Sequence, residues 1–348
     1  MRRAKRILLC FPQVPFERGG TEFLVGSLHE ELVKRHFIVD VIAIPLQWIP
    51  KKEIIKNCMI WRLLDLTKCN DKKIDLVIST KFPSYLIKHP NKVTYLFHQF
   101  RQVYDAYGTE YSDFTDSSED VKIREMIIDM DNKSLSESKQ IYSISKNVSY
   151  RLKKFNDLNS TVIYPPPKLQ GKFYSKDYGD YILYVGRLNK SKRIDLLLKA
   201  LARTRSRVKC VIAGTGEEKE SLEQLTNRLK LKNRVTFLGF VSDERILELY
   251  AHCLAVYYAP YDEDYGFSTV EAFLSKRPVL TTFDSGGVLE FVINDRNGYV
   301  ADNKPESIAQ PLDALFANRG LCHALGTSGY KDVQDINWDT VINKLTAI

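Results

Sequence analysis

The stretch 257–287, YYAPYDEDYGFSTVEAFLSKRPVLTTFDSGG, constrains what the rest of the chain can be. Residues 254–258 form a short apolar and aromatic run of buried-strand type, and residues 268–276 have the spacing of a short helix packed on a sheet. The loop between them carries Glu263, and the helix carries Glu271 eight positions later. One carboxylate in a loop and a second in the first helical turn can both face a ligand lying across the helix's amino end. The N–H groups of Phe267, Ser268 and Thr269 point out of that end, where the helix dipole favours an anion. Carboxylates for hydroxyls beside bare amides for phosphate suit a nucleotide sugar.

Ser268-x-x-Glu271 also reads as a capping box, with serine at the N-cap and glutamate reaching back, so this pair alone leaves Glu271 open between cap and ligand. The surrounding pattern is more specific. Glu263-x7-Glu271 encloses Gly266-Phe267 and is followed by Arg277-Pro278-Val279 and Gly286-Gly287-x-x-Glu290. This ordered set closely resembles the donor-site signature of retaining glycosyltransferases of family 4. The resemblance implies an α/β chain of GT-B fold, with two Rossmann-like domains facing each other across a cleft and a C-terminal helix crossing back to the N-terminal domain. It covers nearly the whole chain and is specific mainly after Tyr181.

At 348 residues with 44% hydrophobic content, the chain has room for two domains with full cores. Arg2, Arg3, Lys5 and Arg6 precede an apolar run at 7–11 that is too short for a signal-peptide core, and no membrane span stands out, so a protein that stays where it is made is expected. Cys10, Cys58, Cys69, Cys210, Cys253 and Cys322 lack C-x-x-C spacing and read as reduced residues of a cytoplasmic protein, not as a zinc site or disulfide frame. The net charge of +8 is uneven: residues 1–165 hold 26 Lys and Arg against 20 Asp and Glu. Lys51-Lys52, Lys72-Lys73 and Arg151-Lys153-Lys154 fit either a solvated basic surface or contact with anionic lipid at the inner face of a membrane. No nucleic-acid-binding motif accompanies them.

Taken in order, an apolar strand at 7–12 leads into Glu17-Arg18-Gly19-Gly20-Thr21-Glu22, then a helix to residue 35. Strand, glycine turn and helix let backbone approach a phosphate or sugar. Gly19-Gly20-Thr21-Glu22 resembles the Gly-Gly-x-Glu loop of family 4. Strand-like runs at 38–45, 76–79, 93–97, 141–144 and 161–164 mark a parallel sheet covered on both faces. His98 follows the 93–97 run, where open α/β sheets place ligands, and 104–111 reads as a polar-aromatic loop at the acceptor side or a packed surface loop. Pro165-Pro166-Pro167 and the polar segment after it form the clearest boundary. We expect domains at 1–168 (acceptor-binding) and 175–330 (nucleotide-sugar-binding), with a crossing helix at 331–348. In the second, a strand at 181–185 leads into Gly186-Arg187-x4-Lys192. Arg forks onto two oxygens and Lys supplies a point charge, the pair a diphosphate needs, and this spacing resembles the family's pyrophosphate clamp. The usual glycine after the lysine is Arg193 here, which puts the helix start in doubt.

The implied activity is sugar transfer from a UDP- or GDP-linked donor to a hydroxyl acceptor with the anomeric configuration retained, in glycolipid or polysaccharide assembly, without metal or other cofactor. Glu263, Arg187, Lys192 and His98 are the candidate catalytic residues. Gly19, Gly20, Arg187, Lys192, Gly266, Phe267, Ser268, Thr269 and Glu271 are the candidate donor contacts. Three alternatives stay open: a metal-dependent transferase using Asp262-Glu263-Asp264 as a D-x-D motif, a nucleotide-sugar 2-epimerase of the same fold, and a non-catalytic nucleotide-sugar-binding protein. A nucleic-acid partner is not expected.

Overall fold

The computed structural model describes residues 4–16 and 19–348. Arg2, Arg3, Glu17 and Arg18 lie outside the described residues. The chain divides into two compact units, one comprising residues up to Lys168 together with Asn337–Ile348, the other Leu169–Ile336.

The first unit contains β1 (Arg6–Gln13), α1 (Gly20–Lys34), β2 (Ile38–Pro45), α2 (Lys52–Leu63), a short antiparallel hairpin of β3 (Lys68–Cys69) and β4 (Lys72–Lys73), β5 (Leu76–Ser79), β6 (Lys92–Leu96), α3 (Ser118–Ser136), β7 (Gln140–Ser143), α4 (Lys146–Asn156) and β8 (Thr161–Val162). Its main sheet runs β2-β1-β5-β6-β7-β8 with every pair parallel. Strands buried on both faces need continuous apolar runs, and Leu76–Ser79 and Lys92–Leu96 are buried throughout. Even Lys92 is enclosed, its ammonium donating to the carbonyls of Tyr85, Ile87 and Ser134.

The second unit contains β9 (Tyr181–Val185), α5 (Ile194–Leu201), β10 (Lys209–Ala213), α6 (Lys219–Arg228), β11 (Val235–Gly239), α7 (Asp243–His252), β12 (Ala255–Tyr257), α8 (Phe267–Leu274), β13 (Val279–Thr282), β14 (Gly298–Ala301), α9 (Pro305–Ala317) and α10 (Arg319–Val333). Its parallel sheet runs β11-β10-β9-β12-β13-β14. The chain starts mid-sheet at β9, winds outward to β11, then restarts on the other side of β9 with β12. That reversal is the topological switch point of a doubly wound sheet, where strand ends splay and leave a crevice at their carboxyl edge. In the first unit the corresponding point lies between β1 and β5.

The last helix, α11 (Trp338–Thr346), belongs to the first unit. The side chain of Asn337 caps it by accepting from the Thr340 amide, and Val341, Ile342 and Leu345 are its buried stripe. Arg35 from the end of α1 pairs with Asp339, and Lys5 donates to the carbonyl of Thr346. Residues 331–336, expected as part of this terminal element, complete α10 and its exit in the second unit instead.

One expected basic cluster is dissolved by the fold. Arg151 is 3% exposed and lies 3.7 Å from Asp105, while Lys153 pairs with Asp157 at 2.6 Å. Lys51 is likewise tied at 2.6 Å to Asp120.

Candidate active site

At the carboxyl edge of the second sheet, the loop leaving β9 and the loop leaving β12 meet across the switch point. Gly186 and exposed Arg187 follow β9, and the Arg187 carbonyl accepts from the buried Tyr184 phenol at 2.7 Å. A single turn at Lys190–Lys192 then brings Lys192 against Glu263, and their side chains form an ion pair, each under one-fifth exposed. The phenol of Tyr258, at the end of β12, donates to the same Glu263 oxygen at 3.0 Å. Burial first, and then the Glu263 charge, push the Tyr258 pKa well above its ordinary value, so this phenol remains a neutral donor.

α8 begins after Gly266, whose φ of +91° is open to glycine and strained for other residues. A Cβ there would also stand 2.9 Å from Val288. The capping-box reading fails on this geometry. Gly266, not Ser268, is the N-cap; the Ser268 hydroxyl donates to the Val185 carbonyl at 2.9 Å; and Glu271 sits one turn inside the helix, accepting from the Tyr250 phenol at 2.7 Å. Burial pushes the Glu271 pKa up to about 7, with the Tyr250 hydrogen bond opposing the shift. The expected trio of open amides is reduced to two, because the Thr269 N–H turns back onto the Gly266 carbonyl at 3.0 Å. The Thr269 hydroxyl is buried and finds no hydrogen-bond partner among the described residues.

Arg277, part of the ordered signature, is structural. It is fully buried, stacks 3.9 Å over Tyr178, and donates to the carbonyls of Tyr250, Lys176 and Ala251. Arg193 adopts the left-handed conformation, φ +50°, for which glycine is the usual choice. A non-glycine residue there costs roughly 1–2 kcal/mol. The side chain offsets that cost with a fork onto Asp284 and three further hydrogen bonds, to the Ala259 carbonyl at 2.8 Å, the Pro260 carbonyl at 2.8 Å and the Thr282 hydroxyl at 2.7 Å.

The remaining candidates lie in the first unit, at the carboxyl edge of β1, β5 and β6. Gly19 is the extended N-cap of α1 and Gly20 its first residue, and the Glu22 carboxylate accepts from the Gly19 amide at 2.8 Å. Glu22 therefore closes its own glycine turn. Lys81, just past β5 and 8% exposed, lies 3.6 Å from Glu22, and the Phe82 amide donates to the His98 carbonyl. The His98 Nδ1 is 2.6 Å from the Gln99 carbonyl oxygen. Lys81, Tyr250, Tyr258 and Asp284 were not singled out from sequence. Tyr258 reads there as part of an apolar and aromatic strand, and the arginine replacing glycine at 193 is the visible signal for Asp284.

Residues 168–332 match the family model of glycosyl transferases group 1. That match spans the second unit almost end to end. Over 164 residues, 46% of its length, the chain is 32% identical to an uncharacterized glycosyltransferase of Methanocaldococcus jannaschii, covering 42% of that protein. The chain thus spans about half or less of the length of the curated relatives it matches. Whole-chain likeness comes from solved structures. Sucrose-phosphate synthase from Thermosynechococcus elongatus superposes with a TM-score of 0.80 at 18% identity, covering 99% of this chain and 98% of that one. Anabaena HepE, solved with UDP and glucose, gives a TM-score of 0.72 at 18% identity, covering 99% of this chain and all of that one. At such identities the likeness shows the fold, which is GT-B, with the region that matches the group 1 model as its second Rossmann-like unit.

Proposed function

We propose that the chain is a metal-independent, retaining glycosyltransferase that moves a sugar from a UDP- or GDP-linked donor to a hydroxyl of a saccharide or lipid-linked acceptor in glycolipid or polysaccharide assembly. The observation that carries this reading is the meeting of Lys192, Glu263 and Tyr258 at the β9/β12 switch point, beside the amino end of α8. Arg187 and Lys192 take the charge of the diphosphate, helped by the Phe267 and Ser268 amides and the Thr269 hydroxyl. Glu263 accepts from sugar hydroxyls and Glu271 from ribose hydroxyls. In the first unit, His98 is assigned a catalytic role and Gly19 and Gly20 contacts to the donor, on the family resemblance. Glu263 is already matched by a lysine, which favours side-chain cations over a metal as the charge stabiliser.

A thermal-shift panel of UDP-, GDP- and ADP-sugars in EDTA, followed by turnover with the stabilising donor, tests this. Saturating donor at 100 times Kd raises stability by about 2.7 kcal/mol. Nucleotide release only when acceptor is added supports transfer. Release with donor alone and a new 2-epimer points to an epimerase, binding without turnover points to a non-catalytic protein, and restoration of turnover by Mg²⁺ or Mn²⁺ removes metal independence.

We further place the chain at the cytoplasmic face of an anionic membrane, resting on α2. No helix among the described residues is long and apolar enough to cross a bilayer. The outer face of α2 carries Lys52 and Lys56 at one end and Met59, Ile60 and Leu63 at the other, with Leu63 76% exposed. Ile49 before it is 75% exposed, and Lys68, Lys72 and Lys73 follow on the exposed hairpin. Exposed apolar side chains on a helix that also carries lysines suit the headgroup boundary, each lysine contributing about 1 kcal/mol near an anionic surface. Co-sedimentation with phosphatidylglycerol vesicles falls by about tenfold in an Ile60→Glu/Leu63→Glu double variant and weakens with added salt. Absent or salt-insensitive sedimentation of the parent chain removes this placement.

A further inference from the structure

Arg193 stands at the hub of the three strand ends that build the site. Its guanidinium donates to the Ala259 and Pro260 carbonyls in the loop after β12 and to Thr282 and both oxygens of Asp284 after β13. Its own carbonyl accepts from the Tyr257 phenol at 3.0 Å. Around this hub the backbone is zipped: the Tyr261 amide donates to the Ser191 carbonyl at 2.8 Å and the Asp262 amide to the Asp284 carbonyl at 2.8 Å. Lys192 is the preceding residue, and Glu263 lies three residues beyond Pro260. Burial works against ionisation of Asp284, but hydrogen bonds from Arg193 and Asn303 outweigh it and hold its pKa below the usual range, so the fork remains charge-assisted.

We propose that Arg193 is a positioning residue that sets the separation of Lys192 and Glu263, replacing the backbone freedom of a glycine with a side-chain clamp on the loop that carries Glu263. The proposal rests on the reading of Lys192 and Glu263 as donor contacts. An arginine here restricts the loop in one register, so its effect falls on the geometry reached in the transition state more than on ground-state donor binding.

Arg193→Gly is the informative variant, because glycine accepts the left-handed backbone and only the clamp is lost. It lowers kcat by about 30–100-fold with donor KM within about threefold, and guanidinium ion added at millimolar concentration recovers about tenfold. In a Glu263→Gln background the same change costs less than about threefold, since the residue being positioned is gone. Amide exchange at Tyr261, Asp262 and Glu263 rises in Arg193→Gly, a readout that needs no activity. If the parent chain transfers no sugar, the proposed function fails while exchange still reports the clamp. Unchanged exchange, full additivity with Glu263→Gln, or a lowered melting temperature with unchanged kcat per folded molecule each overturn the positioning role.

Discussion

Arg187→Ala lowers kcat by about 10²–10³-fold, with kcat/KM falling at least as far. Negative charge moves onto the departing diphosphate as the glycosidic bond breaks, so a fixed cation stabilises the transition state more than the bound donor. Arg187→Lys recovers part of the loss, because an ammonium cannot fork onto two oxygens. Lys192→Ala has a second consequence. It removes the ammonium paired with the Glu263 carboxylate, which is 17% exposed and also accepts from the Tyr258 phenol. The Arg187→Ala/Lys192→Ala double variant loses less than the sum of the singles, since both serve one group. Steady-state kinetics over a donor series checks this. A raised KM with untouched kcat would confine the pair to ground-state binding.

Glu271 gives the second large effect, and it is legible in pH. Its folded pKa of about 7 lies above the ordinary carboxyl value of 4.5, so between these limits the folded chain holds a proton that the unfolded chain has released. Stability from this group is therefore complete below about pH 4.5 and is lost as pH rises through about 7, by up to roughly 3 kcal/mol. Nucleotide binding runs the other way, because the ionised carboxylate is the better acceptor for ribose hydroxyls. Glu271→Gln, a neutral isostere, raises the melting temperature at pH 8 and weakens nucleoside diphosphate binding by about 10–100-fold, a loss of 1.5–3 kcal/mol. Titrating the variant in parallel cancels the phosphate's own ionisation, near pH 6. Equal pH slopes for both forms, or unchanged nucleotide affinity in Glu271→Gln, would remove the ribose role.

The second sheet was legible because its central strands are continuous buried runs, residues 182–184 in β9 and 255–257 in β12. The observed strands Tyr181–Val185 and Ala255–Tyr257 lie within the runs expected at 181–185 and 254–258. α3 escaped because its buried face includes Asp120, Asp131 and Ser134, which break the apolar period. Asp131 is satisfied by the phenols of Tyr85 and Tyr104, each at 2.8 Å, partners far away in sequence. α10 escaped for a different reason. Gly326 and Gly329 weaken the helical signal, yet a Cβ on Gly329 would stand 2.2 Å from Phe273, so this glycine lets the helix close onto α8. At the candidate site, charge, spacing and the family resemblance single out Arg187, Lys192, Glu263 and Glu271 as candidates. Their partners were not visible, because a tyrosine at a strand end has the same sequence signal whether it fills the core or donates to a carboxylate.

The proton NMR spectrum of the glycoside product formed in EDTA, read at its new anomeric centre, decides between the proposed chemistry and its rivals. The donor's anomeric configuration should persist in the product, at a rate unaffected by chelator and cut by about 10²-fold or more in Lys192→Ala. An inverted anomer, or turnover that vanishes in EDTA and returns with a divalent ion, would contradict a mechanism in which side-chain cations on the β9 loop carry the departing diphosphate.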